Sequence, residues 1–337
     1  MLLQWRIFIG RDCGIPDNMA VSDGVHLLVP HASCASPACA EALRGLALPN
    51  LQRLLKRLAV EHADAGDAGS LSPPHERALA RAWGLQAADG LVPLGALQVL
   101  QSGGDPGDAG WAWITPAHLL VGRDRIDMAP PPALQLDAED SRTLLAAMQP
   151  FFAEDGITLA YDAPLRWLAR GEMFRTLPTA SLDRVVGRPI APWVPAGDAG
   201  RPLRRLQQEM QMLLYTLPLN DARERGGLLP VNSFWASGSG ALPSAPRPTR
   251  PAGLQVTPYL RDAALAADWP AWAAAWQELD ARDGARLLGA LEAGQEVRLT
   301  LCGEAGSRTW SSRAAGAWQR LAGWLGRSTP AQWVEGL

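Results

Sequence analysis

Five histidines and four cysteines are the side chains of this 337-residue chain best suited to hold a metal or attack an electrophile. The histidines are His26, His31, His62, His75 and His118, and the cysteines are Cys13, Cys34, Cys39 and Cys302. His31, Cys34 and Cys39 lie close together among small residues and could ligate a soft metal. No Cys-x-x-Cys pair or zinc-finger spacing supports them, so ordinary reduced thiols are expected. His26 sits in an apolar run and reads as a strand histidine with a local partner. His62 and His75 flank a loop and read as solvated. His31 and His118 are the two near expected strand ends, and His31 is kept as a metal candidate. Ser33 follows the first expected strand and is the candidate nucleophile. Its alternative role is a hydroxyl that caps a turn.

A second group of residues has the chemistry to hold an anion. Ser237-Gly238-Ser239-Gly240 follows an expected strand, so backbone N–H groups around Gly238 and Gly240 could cradle a phosphate. The alternative is a point where two backbones pack closely. Asn220, Arg223, Arg225 and Asn232 fall around one turn-and-strand unit and could bind the same kind of ligand, or could satisfy backbone groups locally. Arg223 and Arg225 are two apart and do not share a helical face. Arg201, Arg204 and Arg205 open a helix, where positive charge is unfavourable, so they are expected to be solvated or to meet acidic partners.

The elements that position these groups can be read from periodicity. Residues 25–29, Val-His-Leu-Leu-Val, read as a buried strand. Helices are expected from Pro49, with Leu51, Leu54, Leu55 and Leu58 on one face, and over 76–84 and 93–101. Residues 64–75 and 103–110 read as loops. Trp111 to Val121 and Arg125 to Met128 read as strands joined by a turn, and Asp137 starts a helix that runs to about Met148. Residues 157–161 and 166–169 predict a hairpin. Residues 201–217 predict a helix with Leu203, Leu206, Met210, Leu213, Leu214 and Leu217 on its buried stripe. Val231 to Ala236 predicts a central strand, the Pro-rich residues 241–253 a linker, and 254–337 a last unit of strands and helices ending in a helix near 313–325. Strands alternating with helices argue for an α/β fold with a mostly parallel sheet.

Composition narrows the function classes. Hydrophobic residues make up 47% and charged residues 19%, which excludes a disordered chain. No apolar run approaches the ~20 residues that span a bilayer. The net charge of -3 argues against a broad nucleic-acid surface. Of the 14 tryptophans, those from Trp269 onward are expected to fill core. Residues 1–24 lack a signal-peptide pattern and read as an upstream extension with few contacts, with Met19 as an alternative start.

Several segments carry a family resemblance: Gly187 to Ile190, Pro195 to Gly197, Leu217-Pro218-Leu219-Asn220, Arg223, Gly226, Asn232 and Gly238 to Gly240. In this order the stretch from Thr176 to Pro243 resembles the archaeal-type cofactor-independent phosphoglycerate mutases of the alkaline phosphatase superfamily. His26 to Pro30, Trp113 to Leu119, Phe152 to Gly156 and Arg166-Trp167 resemble a proteobacterial offshoot of that group, the RpfE-type regulatory proteins. The resemblance implies an alkaline-phosphatase-like fold. For the mutases it also implies two metal ions about 4 Å apart, several Asp and His ligands, and a Ser or Thr nucleophile. Where the mutases have an Asp-Gly pair after the first strand, this chain reads Pro30-His31-Ala32-Ser33, and Asp23-Gly24 precedes the strand. Where they have a C-terminal Asp-His pair, it reads Glu304-Ala305. Glu304 is thereby a metal candidate beside His31.

The expectations are therefore as follows. The fold is α/β, alkaline-phosphatase-like, a mostly parallel sheet flanked by helices with an inserted or appended smaller region. The chain divides into 1–24, 25–110, a mutase-like middle region 111–240, the linker 241–253 and a C-terminal part 254–337. The function is that of a non-catalytic regulatory or interaction protein of the bacterial cytoplasm, without a cofactor. It binds a protein partner or a phosphorylated small molecule through Asn220, Arg223, Asn232, Gly238 and Gly240, and neither nucleic acid nor membrane. The alternative is a phosphoglycerate mutase or related phosphotransferase that uses manganese or another divalent metal, with Ser33, His31 and Glu304 in its site. Fewer than four Asp, Glu and His side chains are expected to converge at the edge where the first and the 296–302 strands end.

Overall fold

The strand β1 (Gly24–Val29) is wedged between two cores. Leu27 and Val29 pack with Leu51, Trp272 and Trp276, while Leu28 packs on the other face with Leu79 and Val256. An apolar run buried on both faces is what a strand covered by helices on each side requires. The computed structural model describes residues 24–314 and 329–337. The expected N-terminal extension, Gly24 apart, and most of the helix expected at 313–325 lie outside the described residues.

The remaining strands are β2 (Ala59–Asp64), β3 (Trp111–Ala117), β4 (Leu119–Val121), β5 (Ile126–Met128), β6 (Thr158–Ala163), β7 (Arg166–Arg170), β8 (Ser233–Gly240), β9 (Leu254–Val256), β10 (Glu296–Cys302) and β11 (Ser307–Ser311). A five-stranded sheet runs in the order β2-β11-β10-β1-β9. β1 lies parallel to β10, with Leu27 opposite Leu299, and parallel to β9. β11 is antiparallel to β10, and β2 is antiparallel to β11. The sheet is thus mixed rather than mostly parallel, although the α/β class with a central sheet flanked by helices holds. The cause is local. Gly303 N–H donates to Gly306 O at 2.9 Å, so the chain leaves β10 in a tight turn and returns beside it without a crossover helix. β2 and β11 are not among the strands expected from sequence.

A second, four-stranded sheet, β6-β7-β3-β8, is antiparallel throughout. The helices Ala138–Glu154 and Arg201–Tyr215 cover it, burying Phe152, Trp167, Met210 and Phe234 together. The first of these starts where expected, because the Asp137 carboxylate accepts the N–H groups of Glu139 and Asp140. The second buries Leu203, Leu206, Met210 and Leu214. Leu213 and Leu217, expected on the same stripe, are only partly buried. The strand expected over residues 111–121 breaks at His118, whose Nδ1 lies 2.8 Å from Pro230 O. The strand expected to end at Ala236 continues through Gly240, buried along its whole length.

The described C-terminal tryptophans fill core as expected, while Trp318 and Trp324 lie outside the described residues. Trp269, Trp272 and Trp276 stack edge to face, and Trp310 and Trp333 are buried in the same cluster. No described helix is long and apolar enough to cross a membrane.

Candidate functional site

The parallel strands β1 and β10 end at one edge of the sheet, the side where α/β folds place ligands. Beyond β1 the chain turns over that edge. Ala32 N–H donates to Cys302 O at 2.7 Å, and Trp272 Nε1 donates to His31 O at 3.0 Å. Between these anchors His31 takes φ of 56°, a left-handed conformation that costs a non-glycine residue on the order of 1–3 kcal/mol. The turn aims His31 and Ser33 across the ends of β1 and β10. Beyond β10, Gly303 lets Ser33 Oγ approach so closely that a Cβ would collide with it. The first turn of the helix Pro74–Ala82 carries His75 to the same edge, and the short helix Leu182–Val185 carries Asp183.

Asp183 is the centre of the cluster. Its Oδ2 lies 3.1 Å from His31 Nε2 and 3.4 Å from His75 Nε2. Its Oδ1 accepts from Arg261 Nε at 2.9 Å and from Arg261 Nη2. The two imidazole ring centroids are 5.2 Å apart, and one nitrogen of each and a carboxylate oxygen lie within 4.8 Å of one another. A cavity of about 40 Å³ opens beside them, lined also by Ser33, Cys34, Arg184, Arg188, Trp269, Trp272 and Glu304. Burial alone would raise the Asp183 carboxyl, but Arg261 and the two imidazoles outweigh it and hold the group well below the usual carboxylate range. Burial lowers His75 to about 4 against the upward pull of Asp183, so its ring is neutral at pH 7. A hydrogen bond with the Cys39 thiol lowers Cys34 to about 7, and Cys39 itself is pushed up. Burial pushes the Cys302 thiol up.

His31, Ser33, Cys34, Cys39 and Glu304, all singled out from sequence, meet here. His31 touches Asp183, Ser33 Oγ is buried without a hydrogen-bond partner among the described residues, and Glu304 lines the cavity. Glu304 accepts the Ala35 N–H at 3.0 Å and lies 3.7 Å from Arg188. His75, expected to be solvated, is 1% exposed. The correction has a plain cause: helical periodicity turns His75, Ala78 and Leu79 to one buried face.

The candidate anion ligands lie elsewhere and are engaged within the chain. Asn220 Nδ2 donates to Leu214 O and Val231 O, and its Oδ1 accepts from Val231 N–H. Arg223 donates to Leu134 O, Leu229 O and Asp140. Asn232 pairs with both backbone groups of Leu119. Gly238, at φ of 61°, faces Leu94 and Trp113, and a Cβ on Gly240 would meet Leu91 O and Pro93. Asn220 and Asn232 border one cleft, with His118 and Tyr215, that neither Arg223 nor Gly238–Gly240 lines. The arginines opening the Arg201–Tyr215 helix meet acids or carbonyls: Arg201 pairs with Asp198, Arg205 with Asp155, and Arg204 donates to Pro195 O.

Sequence reasoning missed His75, Asp183, Arg184 and Arg261 as site residues. His75 carried a signal in its helical phase. Asp183 and Arg261 carried none, because each is one charged residue at the start of a short helix.

No family model and no curated protein matches the chain. Among solved structures, the cofactor-independent phosphoglycerate mutase from Thermoplasma acidophilum DSM 1728 shares 12% identity with it. That match covers 85% of this chain and 89% of the other, with a TM-score of 0.35. The PH0037 protein from Pyrococcus horikoshii also shares 12% identity, covers 93% of this chain and 95% of its own, and has a TM-score of 0.42.

Proposed function

We propose that the chain is a non-catalytic regulatory protein that binds a small phosphorylated molecule at the carboxyl edge of β1 and β10. The charge around the cavity supports this reading. Arg184, Arg188 and Arg261 face two carboxylates, Asp183 and Glu304, and the balance favours an anion. Arg184 is spent on structure, donating to Ser70 O and Glu304 O. Arg188 is half exposed and held at 3.7 Å from Glu304, so it is the cation available to a ligand. Paired-metal phosphoryl transfer needs several more ligands than His31, His75 and Asp183, the set that converges among the described residues.

Titration calorimetry with 3-phosphoglycerate and with inorganic phosphate tests the reading. Saturable binding that weakens at least about tenfold in Arg188→Ala, roughly 1.4 kcal/mol, is the expected result. The same preparation should not interconvert 3- and 2-phosphoglycerate with added manganese. Turnover above the uncatalysed rate would overturn the non-catalytic reading in favour of the phosphotransferase. Absence of saturable binding of either anion would overturn the binding reading.

A further inference from the structure

We propose that His31, His75 and Asp183 form a site for a single divalent transition ion of the zinc type. The inference deepens the reading of this cavity as a binding site and rests on it for the identity of the anion, though not for the ion itself. Two imidazoles and one carboxylate are the donor set of zinc sites that keep an open position, and imidazole suits zinc over magnesium or calcium. The spacing agrees. Ligand atoms about 2.0–2.2 Å from a tetrahedral ion stand roughly 3.4 Å from one another. His31 Nε2 and His75 Nε2 stand 3.1 and 3.4 Å from Asp183 Oδ2. An ion can enter between them with small side-chain adjustments, each imidazole presenting its Nε2 lone pair and carrying its proton on Nδ1.

Two further observations point to a ligand. Ser33 is 8% exposed, lines the same cavity and leaves its Oγ without a hydrogen-bond partner among the described residues. A buried hydroxyl in that state is costly unless something outside the chain completes it, and a water on the ion's open position would do so. The cavity of about 40 Å³ exceeds the roughly 10–15 Å³ that one water needs. Arg261 is the outer support. It occupies Oδ1 with two donors and thereby fixes Oδ2 toward the imidazoles, as groups hydrogen-bonded behind metal ligands do. Because Arg261 already balances Asp183, an ion adds two uncompensated positive charges beside Arg188. A phosphate group is the anion such a site would take.

The arrangement is distinct from a paired-metal centre. The Glu304 carboxylate is committed to Ala35 N–H and to Arg188, and it does not join the three-ligand set. Burial also divides the roles. His75 and Asp183 form a fixed wall at 1% and 6% side-chain exposure, while His31, at 18%, is the side through which the ion enters.

The test uses the full-length protein, stripped with a chelator and titrated with zinc by calorimetry and with cobalt(II) by visible absorption. One ion per chain and tetrahedral cobalt bands are expected, together with a zinc-dependent rise in Tm. His31→Ala should abolish all three. Its circular dichroism should match wild type, and His31→Asn serves as the second variant at the same position. Cys34→Ser should retain the ion. No saturable zinc binding, full binding in both His31 variants, or loss of binding in Cys34→Ser would each overturn the proposed ligand set. Repeating the phosphate titration with and without zinc separates the two readings. Zinc bound without phosphate affinity keeps the metal site and removes the anion reading. Phosphate bound by a protein that takes no zinc does the reverse.

Discussion

Asn220 shows how a polar residue that looks ligand-ready is used up by the backbone. The Arg201–Tyr215 helix ends just before it, leaving Leu214 O with only a long turn bond from Leu217 N–H at 3.3 Å, and the chain then returns toward β8 at Val231. One amide side chain satisfies Leu214 O, Val231 O and Val231 N–H, at 2.8, 2.7 and 2.9 Å. Asn220→Ala is therefore expected to cost about 2–4 kcal/mol, since buried groups lose partners without gaining water. Urea unfolding checks it, and a loss below about 0.5 kcal/mol would mean that water replaces the amide. His26 is spent in a similar way. Its Nε2 meets Thr300 Oγ1 at 2.8 Å, and Thr300 meets Thr309 Oγ1 at 2.8 Å, so one polar chain crosses β1, β10 and β11. Burial, with Arg298 nearby, lowers His26 to about 4. Between pH 4 and 6.5 the unfolded chain therefore binds more protons here than the folded one. The contribution of His26 to stability is complete above pH 6.5 and is lost as the pH falls toward 4. His26→Gln should narrow the gap between urea midpoints measured at pH 7 and pH 4.5. An unchanged gap would show that His26 does not titrate in that window.

Periodicity found the long helices because their burial repeats many times within one segment. The Arg201–Tyr215 helix keeps an apolar residue every three or four positions from Leu203 to Leu214, and all four strongly buried members follow that phase. Leu213 sits at the margin of the stripe. Met210→Ala should cost about 2–5 kcal/mol, while Leu213→Ala should cost about 1 kcal/mol. Equal losses by chemical denaturation would show that the stripe is centred differently. β2 escaped notice for the opposite reason. It is an edge strand whose side chains are all exposed or only partly buried, without strict alternation, and Glu61, His62 and Asp64 give it the composition of a loop. Its strand character comes from pairing with β11, which no local pattern announces. β8 runs past the Ala236 end that apolar patterning predicts, through residues that are Ser and Gly. Those residues are small because the backbone there packs on Leu91, Pro93, Leu94 and Trp113.

At the scale of the molecule, the sheet that carries the site is closed by distant parts of the chain. β1 pairs on one side with β9 and on the other with β10, and β11 pairs with β2. Residues 243–247, by contrast, are exposed and lie in the segment between β8 and β9. A protease site inserted after Ser244 should therefore be cut without dissociation. The two pieces are expected to co-elute in size exclusion and to separate only in denaturant, because every pairing of β1 crosses the cut. Separation in native buffer would show that these pairings do not suffice to hold the sheet. The same closure brings His31, His75, Asp183 and Arg261 to one edge from four separate segments.

The sequence by itself determined the parts whose causes are local. Apolar runs specified β1 and β10, helical phase specified the Arg201–Tyr215 stripe, the Asp137 side chain specified a helix start, and chain direction after β1 put Ser33 and His31 near a ligand-accessible edge. The four-stranded antiparallel sheet was legible in part, through its hairpin β6–β7. Tertiary structure alone decided the rest. The partner of His31 is a carboxylate far along the chain, and that carboxylate is oriented by Arg261 from yet another segment. Neither pairing leaves a local trace, because a single Asp or Arg at a helix start has the same propensity whatever it later faces. The mixed direction of the main sheet also followed from one tight turn at Gly303–Gly306, a choice between hairpin and crossover that apolar patterning does not encode.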